Sequence, residues 1–202
     1  MDASWHESLE EVVKKIAEQC LSLSWAHEAS QRWTASWNTR LMFPSIILSS
    51  LVGIGSVGST TLLPFDGSTT LVGILSLTAS ILQTFQNYYA FAKRSESHRI
   101  ASLQYSKLHS FLSLQLSLPR NERIPATDVI EMLKVETEKL ADVAPLIPQA
   151  VKDTFQQKFG KLADYSIAPI LNGLEPVKVC HSTTAETPTV LSSPRPVVRV
   201  IV

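Results

Sequence analysis

The sequence predicts an all-α membrane protein, in which a two-helix transmembrane hairpin has amphipathic cytosolic helices before and after it. Residues 41–65 and 67–92 contain no Asp, Glu, Lys or Arg, and Asp66 alone separates these two stretches. Charged residues make up 18% of the 202-residue chain, below the roughly 25% typical of soluble domains. A soluble protein that buries a central hairpin among its other helices is the alternative, supported mainly by the many Ser, Thr and Gly residues of the first stretch.

Residues 1–40 are predicted to form an N-terminal cytosolic helix. Apolar side chains recur there at mostly three- and four-residue spacing, with charges on the other face. These apolar positions are Leu9, Val12, Val13, Ile16, Cys20, Leu23 and Trp25. The first twenty residues contain no apolar run, so we expect no cleavable secretory signal, and the first span must itself direct insertion.

Residues 41–92 are predicted to form the hairpin, with spans at about 41–63 and 68–92 and a turn at 64–67. A helix of roughly 20 residues crosses a hydrocarbon core of about 30 Å, so each uncharged stretch is long enough. Pro64 and Gly67 flank Phe65 and Asp66. Because Pro fixes φ and Gly permits the left-handed conformation, this linker favours a tight reversal.

Lys and Arg residues predict the orientation of the hairpin. Arg32 and Arg40 precede the first span, Lys93 and Arg94 follow the second, and the turn contains neither residue type. Basic residues favour the cytosolic side, so both termini are expected to be cytosolic, in a membrane that the sequence does not identify. Four aromatic residues are expected to form a belt at the cytosolic interface: Trp33, Trp37, Tyr88 and Tyr89.

Small residues mark one face of the first span. The segment Gly53–Gly58 matches the G-x-G-x-x-G dinucleotide fingerprint literally, but no acidic residue follows at the required distance of about 20 positions, so we reject that interpretation. The interpretation that we favour is close helix packing, either within the hairpin or with a neighbouring subunit. The packing residues are Ser45, Ser49, Gly53, Gly55 and Ser59.

A polar stripe runs along the second span at spacings of three and four residues. It consists of Gly73, Ser76, Ser80, Thr84 and Asn87. Such a stripe could line a water-filled pore formed by several copies, or provide interhelical hydrogen bonds that hold the hairpin together. No ionisable residue lies in either span, which argues against a proton relay.

Residues 93–172 are predicted to form cytosolic helices. The second span is expected to continue past Lys93 into a helix that ends before Pro119, and later helices are separated near Pro145 and Pro148. Residues 173–202 are rich in Pro, Ser and Thr and are predicted to be a disordered tail.

The residue types needed for catalysis or cofactor binding are not arranged in any recognisable pattern. Lys plus Arg equals Asp plus Glu, so no nucleic-acid partner is indicated. The five His and two Cys residues show no metal-ligand or disulfide spacing, and no phosphate loop or nucleophile elbow occurs. We therefore expect no enzyme, no cofactor and no metal.

A family resemblance is carried by Trp25, the Arg32-Trp33 pair, the run Asn38–Gly53 and the segment Ala144–Pro148, and it covers roughly residues 5–160. On these residues the chain resembles the SLATT superfamily, the two-transmembrane effectors associated with SMODS nucleotidyltransferases and SLOG sensor domains. It implies an oligomeric membrane effector that opens a pore when a sensor or nucleotide signal arrives, without catalytic residues. We expect no fused sensor or nucleotide-synthesising domain, so a trigger, if any, is expected to come from a separate partner, from assembly or from the cytosolic helices.

Two functions are consistent with these observations. The first is a homo-oligomeric, pore-forming effector whose polar stripe faces a central axis. The second is a non-conducting membrane scaffold or anchor, which recruits partners through its cytosolic helices and tail. The expected partners are the lipid bilayer, other copies of the chain, and a separate sensor or scaffold protein.

Overall fold

The computed structural model describes residues 5–58, 67–161 and 165–173, and every regular element in these ranges is a helix. The elements in chain order are α1 (Glu7–Gly58), α2 (Ser68–Tyr89), α3 (Phe91–Ser117), a 3-10 turn (Arg120–Glu122), α4 (Ala126–Val143), α5 (Gln149–Phe159) and α6 (Pro169–Asn172). The all-α class is confirmed. Ser59, residues 64–66 of the expected turn and the tail after Gly173 lie outside the described residues.

Helix α1 is one uninterrupted helix of 52 residues, about 78 Å long at 1.5 Å per residue. The sequence-based division between a helix at 1–40 and a span from 41 is therefore not a structural boundary, since the helix continues through residues 40 and 41. Pro44 lies inside α1 and lacks an N–H for the helical ladder. In this turn the Nε2 amide of Gln86 donates to the Leu41 carbonyl at 2.6 Å, which ties α2 to α1.

Helices α2 and α3 both run antiparallel to α1 along a single seam. The α1 residues of this seam are spaced alternately four and three residues apart, the pattern of a coiled-coil interface. They are Val13, Ala17, Cys20, Ser24, His27, Gln31, Thr34, Asn38, Leu41, Ser45, Leu48, Val52 and Gly55, all buried or partly buried. Most of these side chains are small or polar, so the helix backbones approach closely.

The helix that follows the turn is interrupted at Ala90. The second span was expected to extend to residue 92 and continue directly into the next helix, and that continuity is wrong. Ala90 adopts the left-handed conformation, with φ 46° and ψ 44°, so α2 ends at Tyr89 and α3 begins at Phe91. Ala is a strong helix former and no Gly or Pro is adjacent, so the local sequence carries no signal for this break.

Two apolar cores stabilise the base of the molecule, which comprises residues 5–40, 91–161 and 165–173. The first joins α1, α3 and α4 around Tyr105, Leu112 and Leu133. The second joins α1, α5 and α6 around Phe155 and Leu171. Near the start of the chain, the indole N–H of Trp5 donates to the Ile124 carbonyl at 2.8 Å, which fixes the lower end of α1 against the segment before α4.

Candidate functional site

In the upper part of the helix pair, residues 41–58 of α1 with residues 67–89, large apolar side chains are exposed and small ones are buried, the reverse of a soluble protein. We call this part the apolar hairpin. Its buried residues are small, namely Ser45, Gly55 and Ala79. Its large apolar side chains are exposed: Met42, Phe43, Ile46, Ile47, Leu51, Ile54, Leu71, Ile74, Leu77, Ile81, Phe85, Tyr88 and Tyr89. An apolar surface of this extent on a monomer indicates a membrane or protein contact.

Among the described residues, one helix is long and apolar enough to cross a membrane. This segment, Glu7–Ser56 of α1, contains an 18-residue window with a mean hydropathy of 1.3, of which 11% is buried. Helix α2 is shorter, with 22 residues, and contains Gln83 and Gln86 in its second half. Its side chains nevertheless share the exposed apolar character of the upper half of α1.

Four of the five expected packing residues lie within the described residues, and they divide between two environments. Ser45 and Gly55 are buried between α1 and α2, and a Cβ on Gly55 would lie 2.9 Å from Cγ2 of Val72. Ser49 and Gly53 are exposed, and a Cβ on Gly53 would meet nothing within 4 Å. The inner face follows alternating spacings of four and three residues, whereas the sequence analysis used a constant spacing of four, so Ser49 and Gly53 fall outside it. They remain available to a neighbouring subunit.

A polar groove of about 430 Å³ opens between α1 and α2. Its lining residues are Met42, Ser45, Ile46, Ser49, Ser50, Gln83 and Gln86. The polar stripe continues along the same side of α2, because Ser76, Ser80 and Asn87 lie seven, three and four residues from Gln83, within the same helical face. Ser45 and Ser49 of α1 and the stripe of α2 thus border one polar face of the apolar hairpin.

The stripe residues do not tie α2 to α1 within the described part of the chain. Gly73, Ser80, Thr84 and Asn87 are exposed and Ser76 is half-buried. The Ser76 hydroxyl donates to the Val72 carbonyl at 2.8 Å and the Thr84 hydroxyl to the Ser80 carbonyl at 2.9 Å, both within α2. The hydrogen bond that does cross the hairpin comes from Gln86, at the edge of the groove.

The four residues of the expected aromatic belt lie on neighbouring turns of the helix pair, with Trp33 one turn before Trp37 on α1. Trp33 and Trp37 meet edge to face with ring centroids 6.1 Å apart, and Tyr88 and Tyr89 do so at 5.2 Å. The contact of Leu41 with Gln86 places Trp37, one turn below, near the end of α2. All four side chains are exposed, as a membrane interface requires.

A buried histidine pair lies in the seam below the belt. Nδ1 of His27 and Nδ1 of His98 are 3.0 Å apart, and the His27 ring stacks on Tyr105 at 5.5 Å. Burial, and then the neighbouring His98, lowers the pKa of His27 to about 4, while burial, and then Arg94, lowers the pKa of His98. The sequence analysis found the histidines scattered, because only the antiparallel seam brings residues 27 and 98 together.

An ionic cluster closes the lower end of the base. The Glu10 carboxylate accepts hydrogen bonds from Arg120 at 2.8 Å and from the buried guanidinium of Arg123. These bonds, from Arg120 first and then Arg123, lower the pKa of Glu10 to about 2. This cluster fixes the ends of α1 and α3 and has the character of a structural contact.

No group of three or more His, Cys, Asp or Glu side chains is placed to hold a metal ion in residues 5–58, 67–161 and 165–173. Comparison of the chain with known protein families, with curated proteins and with solved structures finds no match.

Proposed function

We propose that the chain is an oligomeric membrane effector that inserts the apolar hairpin as two spans and conducts through a path lined by its polar face. The observation that carries the proposal is the reversed polarity of this hairpin. Its large apolar side chains point outward, its small ones inward, and its hydroxyl and amide groups collect on one side. Lipid would cover the apolar sides, and copies of the same hairpin would cover the polar one.

The packing of α2 on α1 supports the insertion of both helices. A Gly55 Cβ would touch Val72 near the top of the hairpin, and Gln86 bonds to Leu41 near its base. Because α2 accompanies α1 over this whole length, a membrane that accepts the upper half of α1 must also accommodate α2. Its backbone groups are paired within the helix, which the hydrocarbon region requires.

Association through the polar face would satisfy two requirements at once. Ser49 and Gly53 leave room for a close helix contact, and the neighbouring Ser80 and Thr84 provide hydroxyl groups that can face water. The SLATT resemblance suggests the same arrangement, and we propose membership of that superfamily on architecture alone.

The conductance test compares two threonines of α2 whose side chains face different sides of the helix. Thr84 belongs to the stripe, and Thr78 lies six residues earlier, about 240° around the helix. Both are exposed, and both donate to the carbonyl one turn before them. In reconstituted bilayers, Ser80→Leu/Thr84→Leu should abolish ion flux, whereas Thr78→Leu should leave it unchanged. Equal flux in the stripe variant and the wild type would remove the stripe from the conduction path.

A non-conducting scaffold is the second candidate, and the exposed apolar residues of the base favour it. Val143 at the end of α4 and Leu146 just after it are 64% and 88% exposed. This surface could recruit a partner protein. A hairpin that inserts and assembles without flux, and that loses a bound protein when residues 174–202 are deleted or Leu146 is replaced by Asp, would support the scaffold over the pore.

A further inference from the structure

The polar side chains of the apolar hairpin differ in where their hydrogen bonds go. The hydroxyls of Ser50 and Thr78 each donate to the carbonyl four residues earlier in their own helix, at 2.9 Å. The amide of Gln86 donates to the Leu41 carbonyl across the hairpin. These groups are satisfied within the chain, so hydrocarbon can surround them at little cost.

Gln83 differs from them in that its carboxamide has no partner. Its side chain is exposed and lines the polar groove, and within the described residues it forms no hydrogen bond. A carboxamide carries two N–H donors and an acceptor oxygen. Ser49, which lines the same groove, is also exposed and without a hydrogen bond in the part of the chain that the structure describes. The groove thus holds unused donors and acceptors.

The depth of Gln83 makes the missing partner costly once the hairpin spans a bilayer. Gln83 lies six residues before Tyr89 of the aromatic belt, about 9 Å along α2. Helical side chains lean towards the N-terminus of their helix, and the N-terminus of α2 is the end far from the belt. The amide therefore points away from interfacial water and into the hydrocarbon region, where an unpaired amide is strongly unfavourable.

A second copy of the chain offers a partner at a matching depth. Copies inserted in the same orientation place equivalent residues at the same depth. Relative to the contact of Gln86 with Leu41, Gln83 lies three residues and Ser49 eight residues further into the hairpin, about 5 and 12 Å. The Ser49 side chain leans towards the belt and the Gln83 side chain away from it, so their polar atoms approach the same depth. Gly53, one turn beyond Ser49, leaves room for another helix.

We propose that the Gln83 carboxamide of one copy hydrogen-bonds to the Ser49 hydroxyl of the neighbouring copy, and that this contact holds the oligomer together within the membrane. The assignment rests on the proposed function and names the residue pair of its assembly surface. Because the contact joins two different residues, its repetition around an axis along the membrane normal forms a ring. Ser80 and Thr84 remain free to face water.

Gln83→Leu tests the proposal through the association of the full chain in neutral detergent, measured by energy transfer between separately labelled copies. We expect the dissociation constant to rise about 10-fold, since a hydrogen bond between membrane helices contributes about 5- to 30-fold to association. Thr78→Leu is the matched control, because it introduces the same side chain on the same helix where the hydroxyl is bonded within the chain. It should stay within about 2-fold of the wild type. Unchanged association in Gln83→Leu, or an equal loss in Thr78→Leu, would overturn the proposal.

Disulfide cross-linking in the bilayer tests the residue pair directly. Copies carrying Gln83→Cys and differently tagged copies carrying Ser49→Cys, both without Cys20 and Cys180, are reconstituted together and oxidised with copper phenanthroline. A disulfide that joins the two tags forms only between copies, and we expect it for this pair. Ile74→Cys with Ile47→Cys places the thiols at exposed apolar positions and should not cross-link. Equal cross-linking of the two pairs, or none in the first, would contradict the contact.

Failure of the proposed function is seen separately from failure of this contact. Loss of ion flux in Gln83→Leu with unchanged association would place the amide in the water-filled path, which removes the contact and leaves the pore. If the hairpin does not insert, neither the wild type nor any variant floats with phosphatidylcholine vesicles, and the proposed function itself fails. With insertion intact, the wild type, Gln83→Leu and Thr78→Leu all float.

Discussion

At the scale of single residues, the pair formed by His27 and His98 makes the base sensitive to acid. A hydrogen bond between two Nδ1 atoms needs one of them protonated and the other bare, so at least the accepting ring is neutral. The donating ring can take up a further proton only at Nε2, which places a charge in the buried seam, and protonation of both rings places two donors face to face. Tyr105 stacks on His27, the positive charge of Arg94 acts on His98, and within the described residues no hydrogen bond joins either ring to a carboxylate.

We expect the free energy of unfolding of the base to fall as pH is lowered from about 6.5 towards 4. The pKa of His27 is lowered to about 4 and that of His98 is also lowered, whereas unfolded histidine titrates near 6.5. A lowered folded-state pKa means that the unfolded chain takes up protons first, so this contribution is complete above about pH 6.5 and is lost below it. The total loss should be on the order of 2 kcal/mol.

Thermal unfolding by circular dichroism between pH 7.5 and 5 measures this effect without involving Glu10, whose pKa is about 2. His27→Gln keeps a hydrogen-bonding group beside His98 and should flatten the pH dependence. His109→Gln is the matched control, because His109 also crosses the seam, to the Ala17 carbonyl at 2.9 Å. A pH dependence that survives His27→Gln unchanged would contradict the assignment to this pair.

Ala90 offers a second test at the residue scale, because replacing it by Gly should stabilise or destabilise the protein according to the backbone conformation at residue 90. Left-handed φ costs a residue with a Cβ about 1 kcal/mol, a cost that Gly does not incur. Ala90→Gly should therefore raise the free energy of unfolding by about 1 kcal/mol. Ala92→Gly, two residues later inside α3, should lower it by a similar amount. Denaturant titration compares the two, and destabilisation by both would show a continuous helix through residue 90.

At the scale of the elements, the seam of α1 explains how one helix packs in both the base and the apolar hairpin. The same alternation of four- and three-residue spacings runs from Val13 to Gly55. What changes along it is the outer surface, which is covered by α4, α5 and α6 in the base and remains apolar and exposed in the hairpin. The two regions of α1 therefore differ in what covers the outer surface of the helix, and no break in the helix separates them.

Two glycines of α1 test the packing within the hairpin and the proposed packing between subunits separately. Gly55→Leu should force α1 and α2 apart, since even a Cβ would lie 2.9 Å from Val72, and should destabilise the hairpin by about 1–3 kcal/mol. Gly53→Leu meets open space within the chain, so it should leave the hairpin intact and disturb only assembly through the polar face. Thermal unfolding in detergent reports the first effect and mass photometry the second. Loss of hairpin stability in both variants would show that Gly53 also packs within the hairpin.

Much of this architecture could be predicted from sequence because its signals are local. Uncharged stretches, Pro148 before α5 and Pro119 after α3 mark elements that the structure shows within a few residues. The break at Ala90 could not be predicted, because it depends on how α2 and α3 pack on α1 and no local residue specifies it. The sequence analysis also did not distinguish Ser45, which is buried, from Ser49, which is exposed. A constant spacing of four residues and a seam of alternating four- and three-residue spacings diverge after one turn. His27 and His98 are 71 residues apart, so only the tertiary fold shows their contact.

At the scale of the whole molecule, the fold separates surfaces that would act together in a membrane. Under the proposed function, the polar face of the hairpin would serve assembly and its apolar sides would face lipid. Because α1 runs from the base through the hairpin as one helix, a change in the base would be transmitted to the hairpin as a movement of a rigid element. This requires both ends of the hairpin to enter the bilayer from the same side.

The last prediction tests that topology with single cysteines in a background lacking Cys20 and Cys180. Thr70→Cys lies in the first turn of α2, at the far end of the hairpin, and Ser117→Cys lies at the end of α3 in the base; both positions are exposed. In intact cells that carry the protein in the plasma membrane, a membrane-impermeant maleimide should label Thr70→Cys, and should label Ser117→Cys only after permeabilisation. Labelling of Ser117→Cys alone would reverse the orientation expected from the basic residues. Equal labelling of both positions before permeabilisation would mean that the two ends of the hairpin lie on the same side, and the two-span arrangement would have to be abandoned in favour of a hairpin buried against another protein.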